Sequence, residues 1–355
     1  MPNSRPDPVA NDSVRVSVFG KTDLGRTRDH NEDTFLVADL STGNASLHPQ
    51  VQEHGIGPRG SLFMVADGMG GAAAGELASA MAAELIYSHL RATWSTDPNP
   101  TAEQFAFRMR ESVEVANSRI HDYAREHPDV RGMGTTVTVA GVFGNELYLA
   151  QIGDSRAYLV RRGVATQLTK DQSLMQRLVD AGELTEEEAE RSERRNIILQ
   201  ALGPDPRVKV DLTWQEIRRG DLLILCSDGL SGSVKREELA ELAARFPDLE
   251  ALCTELVNLA NQRGGPDNIT AVAARFDGPG LPPPEQTEQP VYQVFTLPGQ
   301  EEDEDDLMDT NGIVTTEIPA HRPVQAPRHE SKVRPGFMFL ALLIGTILLY
   351  LVLAS

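Results

Sequence analysis

Val65-Ala66-Asp67-Gly68-Met69-Gly70-Gly71 is the stretch on which the reading of this chain turns. The apolar run Leu62-Phe63-Met64-Val65-Ala66 has the length and composition of a short buried strand. It ends in one aspartate, and glycines then dominate until an Ala-rich helix opens near Ala74. A carboxylate at the mouth of a buried strand is a good place to hold a hard cation. Glycine beside it lets the backbone approach an ion closely and offers its own carbonyl as a further oxygen ligand. Asp-Gly is also a common turn for conformational reasons alone. Taken by itself the stretch fits either reading, and other carboxylates must decide.

The same pattern recurs. Asp228 follows Leu222-Leu223-Ile224-Leu225-Cys226-Ser227 and precedes Gly229, while Asp267 sits in Gly264-Gly265-Pro266-Asp267-Asn268 just before another apolar strand. Asp154 occupies the tight turn Gly153-Asp154-Ser155, and Glu32-Asp33 open a candidate strand shortly after Arg28. Any one of these is at home in a turn; together they form a set of oxygen donors suited to magnesium or manganese rather than zinc. The eight histidines include no His-x-x-x-His pair or other zinc spacing. Gly20-Lys21-Thr22 resembles the end of a phosphate-binding loop, but Arg15 stands where its first glycine is required. No Gly-x-Ser-x-Gly nucleophile elbow is present.

Composition narrows the classes further. A net charge of −19 over 355 residues argues against nucleic acid as a partner. Eleven acids and four bases fall in 278–335, and the remainder stays acidic, as suits an anionic substrate held through metals. Cys226 and Cys253 lie in apolar surroundings with no metal or redox spacing, which points to a reducing compartment.

Residues 1–13 are polar and Pro-rich, a flexible leader without the pattern of a signal peptide. Strands are expected around Val14–Val18 and over Asp33–Leu40, followed by a Gly/Pro/His/Gln-rich stretch, 41–60, that is either a disordered insertion or a working surface loop. Helices are expected over Gly75–Leu90 and Thr101–Glu126, the second with Thr101 as its N-cap. A meander of short strands runs from Thr135 to Val160, a charged helical stretch covers 171–196, and further strands fall at Val208–Leu212, Leu222–Cys226 and Ile269–Phe276. Helices at Lys235–Arg245 and Leu249–Arg263 complete an α+β pattern.

Six motifs in order carry a resemblance. Arg28-Asp29-His30-Asn31-Glu32-Asp33, Ala66-Asp67-Gly68-Met69-Gly70-Gly71, Gly132-Met133-Gly134-Thr135-Thr136, Ile152-Gly153-Asp154-Ser155-Arg156, Cys226-Ser227-Asp228-Gly229-Leu230 and Gly265-Pro266-Asp267-Asn268-Ile269-Thr270 resemble the metal-dependent protein phosphatases of type 2C, in their bacterial form. The resemblance spans residues 14–277. It implies a central antiparallel β-sandwich flanked by helices on both faces, in α-β-β-α layers, and two Mn2+ or Mg2+ ions, with room for a third. Asp67 is then the bridging ligand, Asp228 and Asp267 complete one metal site, and the Gly68 carbonyl and Glu32 serve the other. Asp33 acts through water, Asp154 holds the looser third ion, and Arg28 grips the phosphate through its planar fork. The implied reaction is direct in-line attack of a metal-bridging hydroxide on phosphoserine or phosphothreonine, without a phosphoenzyme, reversing the work of a Ser/Thr kinase. Some members carry a histidine after the Asp-Gly pair as leaving-group acid; Met69 stands there in this chain, so the source of that proton is open. Residues 168–203 match the flap beside the cleft, whose charge either sorts substrates or forms a solvated helical face.

Past Gly278 the Pro- and acid-rich composition predicts a disordered tether over 278–335, in which Val291–Leu297 is the one apolar patch. The uncharged run Phe337–Ala354 makes a helix about 27 Å long, close to the ~30 Å hydrocarbon core, so 336–355 is expected to be a transmembrane anchor. Arg328, Lys332 and Arg334 before it predict a single-pass cell-membrane protein with a cytoplasmic catalytic domain. Two other readings stand beside the phosphatase: a catalytically inactive, membrane-tethered module that binds phosphoproteins, and a hydrolase of small phosphate esters.

Overall fold

The computed structural model describes residues 14–48, 50 and 52–297. All belong to the first of the two units, Met1–Thr315 and Thr316–Ser355, into which the chain divides. In chain order the first strands are β1 (Arg15–Asp23), β2 (Asp33–Asp39), β3 (Asn44–Ser46), β4 (Gln52–Gly55) and β5 (Ser61–Met69). Two long helices follow, α1 (Ala72–Thr93) and α2 (Ala102–Glu126). Next come β6 (Gly134–Thr135), β7 (Val137–Phe143), β8 (Glu146–Ile152), β9 (Arg156–Arg161) and β10 (Val164–Gln167). The short helices α3 (Leu174–Asp180) and α4 (Glu186–Arg191) precede β11 (Asp211–Glu216) and β12 (Leu222–Cys226). The last elements are α5 (Asp228–Ser231), α6 (Arg236–Arg245), α7 (Leu249–Gln262) and β13 (Ile269–Asp277).

The strands form two antiparallel sheets, one in the order β10-β9-β12-β13-β1-β4 and the other β11-β8-β7-β5-β2-β3, with β6 paired to β5. The period-2 geometry of a strand explains why β5 and β12 read as unbroken apolar runs. In β5, Phe63 and Val65 point between the sheets, whereas Leu62, Met64 and Ala66 meet α1 and α2 on the outer face. In β12, Leu223 and Leu225 fill the inter-sheet core, and Leu222, Ile224 and Cys226 face α6 and α7. Both faces of each sheet are thus covered, in the expected α-β-β-α layers. Thr101 caps α2 as its sequence predicts, accepting the Gln104 N–H at 3.2 Å.

Four stretches differ from expectation. The strand expected at Val208–Leu212 lies further along the chain, as β11 (Asp211–Glu216). Residues 41–60 are neither an insertion nor an open loop: β3 edges one sheet and β4 edges the other, so the segment passes from sheet to sheet. The charged stretch 171–196 is not one helical run; it holds α3 and α4 joined by turns. Residues 278–297 pack on the domain: Leu281 is buried in the inter-sheet core, Leu297 in the core under α1 and α2, and Phe295 meets Tyr148 edge-on at 5.1 Å. Val294 forms a bridge to Thr213, so this segment covers the free edge of β11.

The expected single-pass placement in the cell membrane, with a transmembrane helix as its anchor, is corrected. No helix among the described residues is long and apolar enough to cross a membrane. Phe337–Ala354, on which that expectation rested, lies outside the described residues, as do the leader 1–13 and the stretch 298–335.

Candidate active site

Strand ends place the acids. Sheet one supplies Asp228, just beyond β12, and Asp267, just before β13; the two strands are antiparallel neighbours with Cys226 opposite Ala271. Sheet two supplies Asp33 and Asp67, which stand directly opposite each other where β2 pairs with β5. Asp154 lies in the turn where the chain leaves β8 of one sheet and enters β9 of the other. Every one of these positions is at the same end of the sandwich.

Local chemistry then fixes each side chain. Asp33 is buried, and its Oδ2 accepts hydrogen bonds from Ser227 Oγ and Thr270 Oγ1, both at 2.7 Å. The Asp67 backbone is locked on both sides, its N–H donating to Thr136 Oγ1 (3.2 Å) and its carbonyl accepting the Thr136 N–H (2.9 Å). Gly68 donates its N–H to the Glu32 carbonyl at 3.1 Å, and a Cβ there would lie 2.1 Å from the Gly75 carbonyl oxygen, so no larger residue fits. Glu32 lays its carboxylate against Gly75, in space a Cβ would invade at 2.8 Å. Asn268 stitches the loop 24–32 to this end. It accepts the Glu32 N–H at 2.8 Å, donates to the carbonyls of Leu24 and His30 at 3.0 and 2.9 Å, and sends its own N–H to Asp267 Oδ1 at 2.8 Å. On that loop the exposed Arg28 guanidinium reaches Asp267 Oδ2 at 2.8 Å.

So many carboxylates in one place resist ionisation together. Burial, with a push from Asp267, lifts Asp228 to about 6. Burial lifts Asp33 to about 7 against the pull of Thr270 and Ser227. Asp67 and Asp154 are raised well above the usual range, again by burial first and then by neighbouring aspartates. Burial also raises Glu32, with Arg28 opposing. Arg28 is raised, chiefly by its bond to Asp267.

These residues fit a divalent cation by two observations. Asp228 Oδ1 and Asp33 Oδ1 are buried with no hydrogen-bond partner, an arrangement that is costly unless something positive satisfies it. The donors are all oxygen, the set that hard cations select. Among the described residues no three acidic, imidazole or thiol side chains are gathered into a ready-made cage.

Every residue singled out in the sequence lies at this end: Arg28, Glu32, Asp33, Asp67, Gly68, Asp154, Asp228 and Asp267. Ser227, Asn268 and Thr270 stand in the sequence only as parts of motifs. Their work is to hold Asp33 and the Arg28 loop, across separations of about two hundred residues that leave no local signal. Cys226, two residues before Asp228, is buried and its thiol is pushed up to about 12, so it is no nucleophile.

Residues 51–272 match the family model described as protein phosphatase 2C. The serine/threonine phosphatase stp of Listeria monocytogenes is 36% identical over 257 residues, which cover 72% of this chain and 94% of that protein. The serine/threonine protein phosphatase PstP of Mycobacterium tuberculosis is 43% identical over 213 residues, 60% of this chain and 40% of that protein. The crystal structure of the catalytic domain of PstP in complex with two manganese ions superposes with a TM-score of 0.60 at 35% identity, covering 74% of this chain and 99% of that one.

Proposed function

The chain belongs to the protein phosphatase 2C family and is a serine/threonine protein phosphatase, and from that premise we propose how its acidic cleft works. The cleft holds two manganese or magnesium ions. Asp67 would serve both sites, with Asp228 and Asp267 completing one and Glu32 and the Gly68 carbonyl the other. Asp33 would act at one remove, through water, and Asp154 would hold a looser third ion. Bound there, divalent cations acidify water for attack on phosphorus and neutralise charge on the transferring phosphoryl group. The two-manganese crystal structure of PstP supports this reading.

The chain's own residues do the rest. Burial and neighbouring aspartates favour the protonated forms of Asp33, Asp67, Asp154 and Asp228, and bound cations would favour the ionised ones. Arg28 stands on an exposed loop, and its fork can leave Asp267 for two phosphoryl oxygens of an incoming phosphoserine or phosphothreonine. The loop keeps its place meanwhile, because Thr27 Oγ1 donates to the Pro266 carbonyl at 2.5 Å and Asn268 holds both of its limbs. Substrates are phosphorylated proteins, and the chain opposes a cognate Ser/Thr kinase.

The observation that carries the proposal is the gathering of acids from both sheets at one end, two of them with orphaned buried oxygens. Manganese-dependent phosphate release from a phosphothreonine peptide tests it. Asp228→Ala should lower kcat/KM by more than about 100-fold. Release from small phosphate esters only would favour the ester-hydrolase reading, and no release by the intact protein would leave a binding module.

A further inference from the structure

We propose that Gln172 is a positioning residue, one that fixes the Asp154 turn and ties it to the base of the flap. This rests on Asp154 as a cation ligand, as read above.

Gly153 enters the turn with φ 98°, and a Cβ there would lie 2.6 Å from the Thr136 side chain, so the turn depends on glycine. Both backbone polar groups of Gly153 are taken by one residue. Its N–H donates to Gln172 Oε1 at 2.9 Å, and its carbonyl accepts the Gln172 backbone N–H at 2.9 Å. Gln151 Nε2 adds a second bond to that carbonyl at 3.1 Å. The carboxamide of Gln172 faces the opposite way with its other end: Nε2 donates to Asp211 Oδ2 at 2.9 Å and to the Lys209 carbonyl at 3.3 Å. An amide with one acceptor and two donor hydrogens meets all three demands; a carboxylate cannot, since it would lose both donors and repel Asp211.

Gln172 also stands at the neck of the flap. Its carbonyl accepts the N–H of Leu199 at 2.7 Å, Leu174 donates to the Ile197 carbonyl at 2.9 Å, and Ser173 bridges to Ile198. The outgoing limb of the flap, its returning limb, the first residue of β11 and the turn that carries Asp154 therefore meet at one side chain and its backbone. A shift of the neck cannot leave the turn untouched unless Gln172 lets go.

The test uses the full chain stripped of metal and titrated with manganese, free Mn2+ being counted by electron paramagnetic resonance without substrate. Asp154→Ala should remove the weakest binding step. Gln172→Ala should weaken that same step about tenfold, leave the tighter steps and the melting temperature close to wild type, and speed hydrogen exchange at the Gly153 amide. Gln172→Glu combined with Asp211→Asn reverses donor and acceptor across that pair but leaves the Lys209 carbonyl without its donor from residue 172, so it should restore the step in part. A Gln172→Ala isotherm that overlays wild type while Asp154→Ala has lost its step overturns the proposal. So does a Gln172→Ala protein that loses all steps together with its melting temperature, since that marks a purely structural role. Should Asp154→Ala itself bind manganese as wild type does, the reading of Asp154 as a ligand falls, and the role of Gln172 falls with it.

Discussion

Asp33 sits in two environments at once. Two hydroxyls donate to its Oδ2, which favours the charged form, while its Oδ1 is buried without a partner beside other aspartates, which favours the proton. Burial wins, and the group titrates near 7, against an ordinary 3.8. The sign of the consequence follows from linkage. Above about pH 4 the unfolded chain has released this proton and the folded chain keeps it, so the metal-free fold loses stability as pH rises from about 4 through about 7. Asp228, raised to about 6, acts in the same direction over a narrower window. His54, whose pKa burial lowers, opposes them. The melting temperature of chelator-treated protein should therefore fall between pH 5 and pH 7.5, and Asp33→Asn should flatten that slope. A slope that is equally steep in the variant would remove Asp33 as its source.

Elements whose two faces are both buried were legible because their composition alone reports it: β5, β12 and β13 stand close to where the apolar runs place them. Acids at strand ends could be read for the same reason, since each follows or precedes such a run. Residues 44–46 and 52–55 left no such mark; β3 (Asn, Ala, Ser) and β4 (Gln, Glu, His, Gly) are short edge strands, held by backbone pairing that no side-chain pattern records. The segment 278–297 misled through its prolines, for a few anchors suffice to seat it. Chief among these is Glu288. Arg161 is fully buried, bound to Asp221 at 3.0 and 2.7 Å and to the Glu216 carbonyl at 2.8 Å, and Glu288 closes its last side at 3.1 Å. The same carboxylate takes Arg218 at 2.9 Å. Glu288→Ala leaves a buried guanidinium N–H unpaired and should cost about 1–3 kcal/mol. Arg161→Ala strands the buried Asp221 and should cost more, about 3–5 kcal/mol. Urea denaturation measures both, and the reverse order would mean that Glu288 carries more of this network than Asp221 does.

At the scale of the whole molecule, the question becomes where the catalytic domain stops. Composition breaks at Gly278, but the core does not. Leu281 lies wholly buried between the sheets, Leu297 is 5% exposed, and Phe295 packs on Tyr148. The backbone agrees: Arg219 donates to the Pro282 carbonyl at 2.9 Å, Trp214 to the Gln293 carbonyl at 3.0 Å, and Phe295 to the Leu212 carbonyl at 2.9 Å. Fully burying one leucine is worth roughly 2 kcal/mol, so losing two, with the cavity left between the sheets, should remove about 4 kcal/mol or more. Against a total stability of about 5–15 kcal/mol, that is a large share. A chain cut after Asp277 should melt on the order of 10 °C below one cut after Leu297, at roughly 2–4 °C per kcal/mol for a domain of this size. The longer of the two keeps every contact described here, so its kcat/KM on a phosphothreonine peptide should match that of the full chain. Calorimetry of the two truncations decides the matter, and equal melting temperatures would show that 278–297 merely lies on the surface, so that the domain closes with β13.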